Sequence, residues 1–167
     1  MRKSIEHDKK RRLRDKNFFP QEERRLLEHV PQELLGISDR EMERMFFNAC
    51  ELLEFHEVER AVQAFSLLCK LQPYVSDCWY GLGRAYFDNE QFQEALGAYL
   101  TAETIEPTRI EFYIGAIEAC LQMKNLKEAH HIIQRLERHR KSVENFSQHR
   151  SEIRHLKEQA GFSVSKR

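Results

Sequence analysis

Between residues 38 and 143 the apolar positions recur at three- and four-residue intervals, in segments broken by short polar stretches. That spacing predicts a succession of amphipathic helices. One 34-residue stretch, 76–109, sets the pattern: Trp79, Leu82, Gly83 and Tyr86 form one stripe, Ala95, Tyr99 and Ala102 a second, and Pro107 ends it. Stepping by 34 finds the same order upstream, over 42–75, in Met45, Ala49 and Leu52, then Ala61, Phe65, Leu68 and Pro73. Downstream, over 110–143, it is Tyr113, Ala116 and Cys120, then Ala129, Ile133 and Leu136. The alanines at 61, 95 and 129 stand in register, as do Phe65, Tyr99 and Ile133. The prolines at 20, 31, 73 and 107 all lie outside the periodic segments, as helices require. Ser38-Asp39-Arg40-Glu41 and Thr108-Arg109-Ile110-Glu111 read as capping boxes before the first and third units, and Asp88-Asn89-Glu90 as the break inside the second.

Numbered from Ser76 as position 1, the second unit carries Trp, Leu, Gly and Tyr at positions 4, 7, 8 and 11, and Ala, Tyr, Ala and Pro at 20, 24, 27 and 32. All eight are residue types a tetratricopeptide repeat uses there, so the unit closely resembles that repeat. The fold class expected is all-α: three such hairpins (42–75, 76–109, 110–143) in a short superhelix, with helical flanks. Phe146, Arg150, Ile153, Leu156 and Ala160 keep helical spacing, which predicts a capping helix over about 142–160. Upstream, Leu26, Leu27, Val30, Leu34, Leu35 and Ile37 give the segment 21–37 an apolar side that needs cover, from repeat one or from a second copy of the chain. The division expected is a basic arm at 1–20, the N-terminal helical segment at 21–37, the repeat domain at 38–160 and a tail at 161–167.

The first helices carry a second face. Positions 5, 9 and 12 are Phe46, Cys50 and Leu53 in repeat one, Tyr80, Arg84 and Phe87 in repeat two, and Ile114, Glu118 and Leu121 in repeat three. Positions 5 and 12 are apolar throughout. Two uses are open to these rows: packing against adjacent helices, or lining a groove for an extended apolar peptide. Packed helices lie about 8–10 Å apart and an extended chain rises about 3.3 Å per residue, so successive pockets would take side chains about three residues apart. An acid recurs at position 2, as Glu43, Asp77 and Glu111. It either favours the helix N-terminus or forms a rim that selects a basic residue in the bound segment.

Charge is uneven along the 167 residues. Residues 1–16 hold eight basic and three acidic groups, and the totals of 27 and 27 leave 19 basic and 24 acidic groups in the remainder. The arm is therefore +5 and the remainder −5. Nucleic-acid binding is not expected of a net-acidic folded part. Cys50, Cys69, Cys78 and Cys120 form no C-x-x-C pair and read as reduced, small apolar residues. No apolar run approaches a membrane span, and the N-terminus lacks a signal-peptide core, so a cytoplasmic protein is expected. The eight histidines (7, 29, 56, 130, 131, 139, 149 and 155) show no metal-ligand spacing and are expected at the surface. No glycine-rich phosphate loop or nucleophile elbow is present, so neither an enzyme, a cofactor nor a metal is expected.

The stretch Leu68-Cys69-Lys70-Leu71-Gln72-Pro73-Tyr74, with Trp79-Tyr80-Gly81-Leu82-Gly83, resembles the class II chaperones of bacterial type III secretion, the LcrH/SycD-like family. So do Gln91-Phe92-Gln93-Glu94-Ala95-Leu96, Ala116-Ile117-Glu118-Ala119-Cys120-Leu121-Gln122 and Leu126-Lys127-Glu128-Ala129, over about 35–140. The resemblance implies a bacterial cytosolic chaperone, monomeric or dimeric, that keeps a hydrophobic translocator or effector soluble by holding an extended segment in its concave groove. It also implies that Phe46, Cys50, Leu53, Tyr80 and Phe87 line that groove, with Cys50 and Leu53 standing where the family tends to have aromatics. An adaptor or needle-subunit co-chaperone of the same apparatus is the alternative. A clamp for the acidic C-terminus of a heat-shock chaperone is not expected, because Phe46, Cys50, Gly81, Glu111 and Gly115 occupy the clamp positions.

Overall fold

The computed structural model describes residues 31–162. The arm, residues 21–30 with Leu26, Leu27 and Val30, residues 163–167, and the side chain of Leu34 lie outside the described residues. The chain divides into two units, Met1–Ser38 and Asp39–Arg167.

In the first unit the described residues form α1 (Pro31–Leu34) and the turn that ends it. Proline suits a first helical position because the N–H it lacks would have no intrahelical partner there. Gly36, at φ 67°, closes the helix: its N–H bonds the Glu33 carbonyl, and that of Ile37 bonds the Gln32 carbonyl. Leu35 is exposed and Ile37 half-buried.

The second unit is built from three helical hairpins and a final helix. The hairpins are α2 (Asp39–Glu54) with α3 (Val58–Leu71), α4 (Ser76–Asp88) with α5 (Phe92–Ile105), and α6 (Ile110–Gln122) with α7 (Leu126–His139). The final helix is α8 (Arg150–Gln159). From α2 to α7 each helix packs mainly on the helices before and after it in the chain, as in a repeat stack. First helices also meet directly, α2 with α4 and α4 with α6. Among the described residues the only β feature is an isolated bridge between Arg109 and Glu144.

The register alanines Ala61, Ala95 and Ala129 are fully buried, and Phe65, Tyr99 and Ile133 fill the space beside them. Position 4 ties each repeat to the one before: Trp79 Nε1 donates to the Pro73 carbonyl at 2.9 Å, and the Tyr113 hydroxyl to the Pro107 carbonyl at 3.1 Å. The position-32 proline therefore does more than end a helix, since its carbonyl receives the next repeat's anchor.

Three expectations change. The capping box at Thr108 does not form: α6 begins at Ile110 after Arg109, and no side chain caps it. Thr108 instead accepts the Glu144 N–H on its carbonyl at 2.7 Å. Asn125 does cap a helix, accepting the Glu128 N–H of α7 at 3.2 Å. The final helix starts at 150 rather than about 142. Val143 is buried, Glu144 is tied to the Thr108 loop, and Asn145 takes a left-handed φ of 57°, so the chain cannot enter a helix before that point. Finally, His130 is not a plain surface histidine. Its Nε2 donates to the Ala160 carbonyl at 2.6 Å, and its ring meets that of Phe162, so it secures the end of α8.

Candidate functional site: a cleft along the first helices

Tyr80, Arg84 and Phe87 stand one turn apart on α4, and Ile114 and Glu118 one turn apart on α6. The two helices bring these five residues to one cleft of about 420 Å³, with Tyr99 and Gly115 at its floor. A second cleft, of about 340 Å³, continues along Phe87, Glu118 and Leu121. Phe46, Cys50 and Leu53 of repeat one join neither cleft.

Local packing explains the shape. Tyr80 leans on Tyr99 and Phe112, with ring centroids 5.8 and 5.5 Å away, and Phe46 meets Phe65 edge-on at 5.7 Å. The position-5 row is thus partly internal, and Ile114 at 8% exposure belongs to the core. Position 12 is more open: Leu53, Phe87 and Leu121 are all half-buried. Of the two uses open to these rows, position 5 serves packing first, while Phe87 and Leu121 present apolar surface to the clefts.

The rim acids behave differently from a free row. Arg109, in the turn before α6, pairs with Asp77 and lies 3.8 Å from Glu111, with its guanidinium 4.7 Å over the Phe112 ring. Two of the three position-2 carboxylates are therefore already met from within the chain, and Glu43 is exposed. Arg84 Nε contacts both oxygens of Asp88 at 3.1 Å. Burial pushes the Tyr80 hydroxyl and the Cys50 thiol upward in pKa. Glu118 is also raised, first by burial and then by nearby Glu152, against the opposing pull of Arg84.

Sequence reasoning missed the contribution of α8. Glu152 lines both clefts, His149 joins the first, and His155, Leu156 and Gln159 join the second. Helical spacing marked α8 as a cap, and its burial of Ile153 and Leu156 fits that use, but spacing carries no signal for which inner surface its polar side meets. Among the described residues no group of three or more His, Cys, Asp or Glu side chains is placed to hold a metal ion, and no helix is long and apolar enough to cross a membrane.

The tetratricopeptide repeat family matches residues 76–109. No curated protein matches the chain in sequence. Several solved structures share its fold. The CopN–Scc3 complex aligns with a TM-score of 0.72 at 18% identity, over 85% of this chain and 79% of that one. The type III secretion chaperone SycD of Yersinia enterocolitica, solved with a peptide of the translocator YopD, aligns at 0.67 and 22%, over 75% and 95%. The TPR2AB domain of yeast Sti1, in a complex with pHSP90, aligns at 0.69 and 20%, over 74% of this chain and 48% of that one. The chain has the tetratricopeptide fold that these proteins share.

Proposed function

We propose that this chain is a type III secretion chaperone, holding an extended, hydrophobic segment of a secreted translocator or effector along its first helices in the bacterial cytosol. The observation that carries the reading is the pair of clefts in which Tyr80, Phe87 and Leu121 present apolar surface along α4 and α6. An extended segment laid there reaches side-chain pockets from consecutive repeats. The likeness to SycD, whose structure contains a translocator peptide, points to the same class of partner. Sti1 shares the fold, but the cleft here offers Glu118 and Glu152 where an acidic tail would need cations.

The test is co-expression with the hydrophobic translocators encoded in the same genome. The wild-type chain is expected to move one of them from the insoluble to the soluble fraction and to co-purify with it. Phe87→Asp should abolish that rescue while keeping its helical circular dichroism and melting within about 5 °C of wild type, because Phe87 is only half-buried. Rescue undiminished by Phe87→Asp would count against the groove. A homodimer is proposed through Leu35, Ile37 and the upstream residues of 21–37; removal of residues 1–37 should then leave a monomer in solution, read from its mass.

A further inference from the structure

The ionic groups around the larger cleft do not balance. Four acids line it, Asp88, Glu111, Glu118 and Glu152, with Arg84 and His149 as the groups that can be cationic. Arg84 is committed to Asp88 at 3.1 Å. Glu111 has Arg109 at 3.8 Å, and Glu152 has His149 Nδ1 at 2.8 Å. Glu118 alone has no hydrogen bond or ion pair among the described residues, although it is half-buried. Burial and then the Glu152 carboxylate disfavour its charge, against the pull of Arg84, whose guanidinium Asp88 already holds. An unmatched carboxylate in such a place gains most from an incoming cation.

Its surroundings are apolar. Glu118 lies one turn after Ile114 and nearly one turn before Leu121 on the same stripe of α6, with Tyr80 and Phe87 across the cleft on α4. A long basic side chain can lay its methylene stem on those rings and put its charge at the carboxylate. We propose that the segment held in this groove carries a lysine or arginine between its apolar anchors, and that Glu118 on α6 receives it, with Glu152 of α8 alongside. This rests on the groove reading and adds the chemistry of the bound segment. It also moves acidic selectivity away from the rim, one of the two readings open to Glu43, Asp77 and Glu111, of which Arg109 already engages the last two.

A displayed library of random peptides about a dozen residues long, roughly 40 Å when extended, tests it against the immobilised full chain. The expected enrichment is a set of peptides with apolar residues about three apart and one basic residue between them. The affinity of an enriched peptide and of its Lys→norleucine form is then measured on wild type and on Glu118→Gln. Wild type should lose about tenfold on losing the ammonium, and Glu118→Gln should lose nothing. An equal loss on both proteins, or enrichment of apolar peptides with no basic preference, overturns the assignment of Glu118 while leaving the groove intact. Enriched peptides that bind Phe87→Asp as tightly as wild type overturn the groove reading, and this inference with it.

Discussion

The ring of Tyr99 passes between two helices at points where neither has a Cβ. A Cβ built on Gly83 or on Gly115 would sit 2.7 Å from that ring, and one built on Gly81 would sit 2.2 Å from Phe65. Both rings are buried, at 3% and 0% exposure, so neither can swing aside. A register rule follows: the aromatic at position 24 of one repeat fits the glycine at position 6 of the next, Phe65 on Gly81 and Tyr99 on Gly115. In repeat one position 6 is Phe47, with no repeat before it among the described residues, and Phe47 is 64% exposed. Gly115→Ala is expected to lower stability by about 1–3 kcal/mol in chemical denaturation, since overpacking a rigid contact forces the backbone to move. Gly97→Ala, in a helix with nothing within 4 Å of the new methyl, is the control and should gain about 0.5–1 kcal/mol. If the two substitutions behave alike, the close-approach account is wrong.

At the scale of the element, the turn inside every hairpin has the same construction. His56, Glu90 and Lys124 each adopt a left-handed φ, of 57°, 58° and 55°, and they fall at position 15 of the three repeats. Their N–H groups and those of the residues that follow bond back to the last turn of the first helix, as in Glu90 to Phe87 and Gln91 to Tyr86. This is the motif that normally places glycine at that point. A side chain in that conformation costs about 1–2 kcal/mol, and the greater unfolded-chain entropy of glycine offsets about half of the gain from removing it. Each of His56→Gly, Glu90→Gly and Lys124→Gly should therefore raise stability by about 0.5–1 kcal/mol, and the triple variant should raise it by close to the sum, read as a shift in denaturant midpoint. The hairpins themselves were legible from the apolar period and the register alanines, because burial fixes that pattern. The break at Asp88-Asn89-Glu90 was legible too, but the left-handed conformation of the three turns was not, because no glycine marks it and it is imposed by two helices that must pack. The Thr108 cap failed for a related reason: the neighbouring chain at Glu144 claims the carbonyl of Thr108, and Arg109 turns to Asp77.

For the whole molecule, a stack of three repeats leaves the first helices with a surface that their own hairpins do not cover, and α8 closes one side of it. Positions 5 and 12 were readable as rows because every repeat writes them in the same register. What each row does depended on depth: position 5 leans on the aromatic of its own hairpin, as Tyr80 does on Tyr99, while Phe87 and Leu121 stay open to the clefts. The contribution of α8 was not readable, since helical spacing defines its buried face and says nothing of where Glu152 and His155 arrive. Charge in the cleft likewise emerges only from pairing, which leaves Glu118 unmatched after Asp88, Glu111 and Glu152 have found partners. The claim that this surface holds a secreted segment is tested most directly by site-specific photo-crosslinking in the producing cell. A photoreactive residue at Phe87 should capture a hydrophobic secreted protein, identified by mass, and the same residue at Leu67, 47% exposed on the second helix of repeat one, should not. Capture of that protein at Leu67 as strongly as at Phe87, or of nothing secreted at Phe87, would contradict the account.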